Sequence, residues 1–173
     1  MQLLRKFSPA ILLVFLLFLT GCAGSSGLQN ESDEVSINKG INAYHRGDYA
    51  TALNNLKPLA EQGHVDAQKM LGWLYQNGYG VIQNYKAAMK WYKLAAEQGD
   101  AAAHSNLGAM YGDGLGVTQD NIRAYMWWHI AASQGIEDAK WNLKKVRREM
   151  KSTDETKAQN LARECVAKNY KNC

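Results

Sequence analysis

The sequence predicts an all-α protein, a right-handed α-solenoid of about four antiparallel helix pairs. Three observations carry that prediction. Only two prolines, Pro9 and Pro58, interrupt 173 residues, which leaves room for long helices. The chain matches itself at an offset of 36 residues, and aligning 68–103 with 104–139 gives 14 identities without a gap. Within each unit, apolar residues recur at helical spacing. A content of 46% hydrophobic and 10% aromatic residues excludes wholesale disorder. Three cysteines are too few for a disulfide scaffold.

The chain opens with an address. Arg5 and Lys6 precede an unbroken apolar run from Ala10 to Leu19, followed by Thr20, Gly21 and Cys22. A basic start, a short apolar core and small residues at its exit make a secretory signal over 1–21. The run is shorter than the roughly 20 residues a transmembrane helix needs. Leu19-Thr20-Gly21-Cys22 resembles the bacterial lipoprotein box, in which the cysteine thiol is diacylated, the chain is cut just before it and the new amine is acylated. That resemblance implies lipidation at Cys22, anchoring in the bacterial cell envelope and, with Ala23 rather than Asp next, an outer-membrane address facing the periplasm. An uncleaved anchor, or a plain signal with an incidental cysteine, is the other reading. Removing Arg5 and Lys6 lowers the net charge from +4 to +2. Residues 22–34 are small and polar and read as a flexible tether with a reach of roughly 20 Å.

Each full unit reads as two helices. Ala67, Leu71 and Tyr75 fall at i, i+4 and i+8, a first-helix stripe. Gly72 lies beside it and predicts the close approach of another backbone. Gly78 and Gly80 break the helix. Tyr85, Ala88, Met89, Tyr92, Ala95 and Ala96 form a second stripe, which Gly99 ends. Neither helix can bury its stripe alone, so the units must stack.

These residues resemble the Sel1-like repeat family, a relative of the tetratricopeptide repeat. The pattern is carried by Ala67, Leu71-Gly72, Tyr75, Gly78, Gly80-Val81, Asn84, Ala88, Trp91-Tyr92, Ala95-Ala96 and Gln98-Gly99, and returns from Ala103 to Gly135. Asp120 takes the position of Asn84, and Trp127-Trp128 that of Trp91-Tyr92. The solenoid is expected over 35–173, with full repeats at 68–103 and 104–139 and degenerate pairs at 35–67 and 140–173. Ser152 to Glu155 can form a capping box for the last helix.

Cys165 and Cys173 lie eight residues apart, about 12 Å along a continuous helix and too far to bond. A helix end at Asn169 or Lys171-Asn172 would let Cys173 fold back, so a disulfide and a pair of free thiols both fit. Residues 22–139 carry a net −4 and residues 140–173 a net +6. Lys144, Lys145, Arg147, Arg148 and Lys151 are then either a solvated face or a patch for an acidic partner or envelope polymer.

The packing residues recur, whereas the opposite face of the first helices does not. In related solenoids that face lines a concave groove. The expected partner-binding residues are Trp73, Asn106, Trp141, Asn142 and Lys145, with tryptophan as anchor and asparagine as backbone clamp. The tryptophans could instead cover neighbouring helices. The glycine loops lack the Lys-Ser/Thr of a phosphate loop, and the four histidines lack i, i+4 spacing. No metal site, cofactor, catalytic residue or nucleic-acid partner is expected. The expected function is a non-enzymatic scaffold binding a protein or peptide, held at the membrane through lipid on Cys22. The alternatives are a β-lactamase- or penicillin-binding-type hydrolase by family analogy, and a structural tether with a basic cap.

Overall fold

The computed structural model describes residues 25–173. The signal over 1–21 and lipidation at Cys22 lie outside the described residues. Among those described, eight α-helices and no strand occur: α1 Ser25–His45, α2 Tyr49–Glu61, α3 Val65–Asn77, α4 Tyr85–Ala96, α5 Ala101–Asp113, α6 Asn121–Ser133, α7 Glu137–Arg147 and α8 Ser152–Ala167. They form an α-solenoid. Helices α1/α2, α3/α4 and α5/α6 pair closely, and each pair packs on the next through α2–α3, α4–α5 and α6–α7. None of these helices is long and apolar enough to cross a membrane.

The tether expectation is corrected over 25–34, where α1 is already helical. Asp33 is buried, and its carboxylate lies 3.2 Å from His64 Nε2 at the start of α3. A partner 31 residues away is invisible to local composition.

The second helices start at one recurring position. Asp48, Asn84 and Asp120 each accept the backbone N–H three residues on, at 3.1, 3.0 and 2.9 Å. The long loops are pinned from both sides. Asn84 and Asp120 donate their own N–H to Tyr75 O and Tyr111 O at 2.9 Å. Gln83 and Gln119 donate side-chain amides to Gln76 O and Gly112 O at 2.9 and 2.8 Å.

The glycines act in two ways. A Cβ at Gly72 would sit 2.6 Å from the Tyr92 ring, and one at Gly108 2.6 Å from the Trp128 ring. What approaches is therefore the aromatic ring of the unit's own second helix, not the backbone that the sequence suggested. Backbone approach occurs in the loops. A Cβ at Gly80 would lie 3.1 Å from the Tyr49 carbonyl carbon, and one at Gly116 2.7 Å from that of Tyr85. Each loop thus seats on the first turn of the preceding unit's second helix.

The fourth pair departs from this plan. Helix α8 packs along α6 and barely touches α7. The expected capping box does not form: Lys151 is the N-cap and no side chain caps α8. Glu155 instead accepts from Arg147 Nε at 2.9 Å and pairs with the Tyr125 hydroxyl at 3.2 Å. Helix α8 ends at Ala167, after which Asn169, Tyr170 and Asn172 take φ of 49°, 63° and 55°. These turns fold the tail back, and Cys173 is disulfide-bonded to Cys165 with a Cα–Cα distance of 5.5 Å.

Candidate functional site

A buried polar ladder sets the orientation of the first helices. Gln68 donates to Ala60 O at 3.1 Å, and Gln98 donates to Gln68 Oε1 at 2.8 Å and Gly63 O at 3.0 Å. One unit later, His104 Nε2 faces Ala96 O at 3.0 Å, its Nδ1 faces Gln134 Oε1 at 2.8 Å, and Gln134 donates to Gly99 O at 3.1 Å. His104 is fully buried, and burial holds its pKa below the ordinary histidine value against two hydrogen bonds that raise it. The Trp127 ring stacks on it at 5.4 Å, and Tyr170 of the folded-back tail covers it at 4.8 Å. The sequence reading missed this ladder. Its signal was present: Gln98 and Gln134 recur 36 residues apart, and Gln68 and His104 sit at one register of the buried stripe.

The ladder fixes one side of α3 and α5, and Trp73 and Asn106 lie on the other. Trp73 of α3 is 38% exposed, and its indole N–H donates to the Tyr44 hydroxyl at 2.9 Å. It therefore also covers a neighbouring helix, in an aromatic group where Tyr49 and Tyr79 stack at 4.6 Å. Asn106 is half-buried on α5. Asn142 and Lys145 share a cleft of about 360 Å³ with Asp113, Trp128 and Glu149, between α5, α7 and the start of α6. Trp141, 64% exposed, lines a second cleft of about 480 Å³. The Lys145 ammonium sits 5.9 Å from the Trp141 ring, a cation–π contact. Trp141, Asn142 and Lys145 are thus gathered around α7, while Trp73 belongs to a separate region at the other end of the stack.

Asp113 and Glu149 give the smaller cleft two acceptors beside the Lys145 donor, and Asn142 supplies both kinds of group. Such a lining suits an extended backbone. Among the described residues, no cluster of three or more His, Cys, Asp or Glu could hold a metal ion.

Stacked two-helix units with a 36-residue period define a helical-repeat protein of the tetratricopeptide-like class. The chain belongs within it to the Sel1 repeat proteins. The Sel1 repeat model matches residues 65–100 and 101–136. The period agrees with the sequence reading, and the phase differs by three residues. A Sel1 repeat protein from Oxalobacter formigenes is 36% identical, with 66% of this chain and 91% of that chain covered and a TM-score of 0.57. The protective antigen c5321 of uropathogenic Escherichia coli strains, which displays an SLR fold, is 24% identical with a TM-score of 0.74. That match covers 80% of this chain and 31% of c5321, so the present chain spans about a third of its length. No curated protein sequence matches it. Nothing in these likenesses supports the hydrolase alternative.

Proposed function

We propose that this protein is an envelope lipoprotein that binds a protein or peptide segment along the first-helix face of its solenoid. One observation carries the binding reading. Asn142, Lys145, Asp113 and Glu149 gather side-chain donors and acceptors around a cleft of about 360 Å³ on the first-helix face. Stacked helical repeats create extended surfaces that these proteins use for binding. The anchoring reading rests on Leu19-Thr20-Gly21-Cys22 at the end of the apolar run. Several acyl chains on Cys22 would give stable attachment where one alone is marginal. The outer membrane facing the periplasm is the address that Ala23 favours.

The test places a photo-crosslinking residue at Asn106, at Asn142 and, as a control, at Lys90 on α4. Defined adducts are expected at Asn106 and Asn142, weakened by Lys145→Glu. Equal labelling at all three positions, or at none, would overturn the groove. Radiolabelled palmitate is expected to enter the wild type and not Cys22→Ser, and equal incorporation would remove the anchor.

A further inference from the structure

Four stripe positions let a first helix receive its second helix. In α3 they are Ala67, Leu71, Gly72 and Tyr75, and in α5 Ala103, Leu107, Gly108 and Tyr111. In α7 they are Ala139, Leu143, Lys144 and Arg147. The glycine under Tyr92 or Trp128 has become lysine, and the tyrosine arginine. Where an aromatic ring would rest on a bare Cα, α7 presents a long charged side chain. Helix α8 does not dock there and lies on α6 instead. The seam that α8 leaves vacant is the cleft of about 480 Å³, which runs the length of α7 from Glu137 to Arg147. Leu143 gives it apolar surface above the buried Tyr125, Trp141 stands at its edge, and Lys140, Lys144 and Arg147 charge it. Arg147 is held by Glu155 and Lys140 by Glu137, whereas Lys144 makes no ion pair among the described residues.

We infer that this seam receives an acidic amphipathic helix of a partner protein, in the place a second helix of the fourth unit would occupy. By register the seam corresponds to the surface that buries α4 on α3 and α6 on α5, where Tyr92 and Trp128 rest on Gly72 and Gly108. Apolar surface from Leu143 and Trp141 suits the apolar anchors of an amphipathic helix. The charge selects the occupant. The lining carries Lys140, Lys144 and Arg147 against Glu137, and a helix with acidic flanks is the complementary partner. The inference rests on the scaffold reading only for the class of partner, because the seam is a different surface from the groove of Asn106 and Asn142.

The test uses the full chain as bait for a displayed library of random sixteen-residue peptides. Enriched peptides are expected to be net negative, with apolar residues at helical spacing. A representative should bind at least about tenfold more weakly to Lys144→Glu/Arg147→Glu and in high salt, and unchanged to Trp73→Ala/Asn106→Ala. If circular dichroism shows that the double variant is unfolded, Lys144→Gln with Trp141→Ala replaces it. Enrichment of neutral or basic peptides, or affinity unchanged in the seam variants, overturns the inference. So does preference for phosphatidylglycerol vesicles over every acidic peptide. Loss through Trp73→Ala/Asn106→Ala alone also overturns it and leaves the groove reading standing.

Discussion

The α5/α6 unit and the α7/α8 cap begin from the same first-helix pattern and end differently. In the former, Gly108 admits the Trp128 ring, and Tyr111 closes the seam. In the latter, Lys144 and Arg147 hold the seam open, and Leu143 is left half-buried where Leu71 and Leu107 are fully buried. The difference teaches that docking of a second helix goes with a stripe that keeps both its glycine and its tyrosine, the two positions Lys144 and Arg147 take in the cap. Hydrophobicity alone does not decide it, because the cap keeps its alanine and leucine.

The comparison can be broken most forcefully from its packed side. Trp128→Ala removes the ring that fills the unit and should cost about 3–5 kcal/mol in chemical denaturation. Trp141→Ala, at a residue 64% exposed, should change stability by less than about 0.5 kcal/mol. Comparable losses would mean that Trp141 packs as Trp128 does. Adding a methyl is the next largest step. Gly108→Ala places a Cβ 2.6 Å from the Trp128 ring and should cost about 1–3 kcal/mol, whereas Lys144→Ala should be close to neutral. An unchanged melting temperature for Gly108→Ala would deny the glycine its role.

The smallest effect concerns the two rungs of the ladder. His104 is buried with its pKa lowered from 6.5, so the folded state binds fewer protons than the unfolded one. Its stabilisation is complete above the unfolded value and declines as pH falls from 6.5 toward the lower folded value. His104→Gln copies the Gln68 rung and should flatten that part of the stability–pH profile. A slope of the same size in the variant would place the titration elsewhere.

Most of the repeat was legible because its signals are local and periodic. The 36-residue offset located the two central units. The position of Asn84 and Asp120 proved to be the N-cap that starts each second helix. What escaped depends on distant partners. Acidic, small residues read as a tether, yet Asp33 finds His64 across 31 residues. Ser152 and Glu155 fit a capping box, yet Glu155 is drawn to Arg147 and Tyr125. Gly72 announced a need for space without saying what would fill it. For the site, the helical wheel placed Trp141, Asn142 and Lys145 together on α7. It could not see that Trp73 bonds Tyr44, or that α8 would leave a second cleft open.

An open solenoid end is a template, because it offers the next chain the surface that each unit offers the one after it. Had position 144 kept its glycine, α7 could have taken a second helix from another molecule, and that copy could have done the same, end on end. Lys144 and Arg147 discourage that course. The chain's own second helices α4 and α6 are net basic, with Lys86, Lys90 and Lys93 on one and Arg123 on the other. They would meet like charge at the seam. Lys144 thus sets like charge against the addition of such a helix.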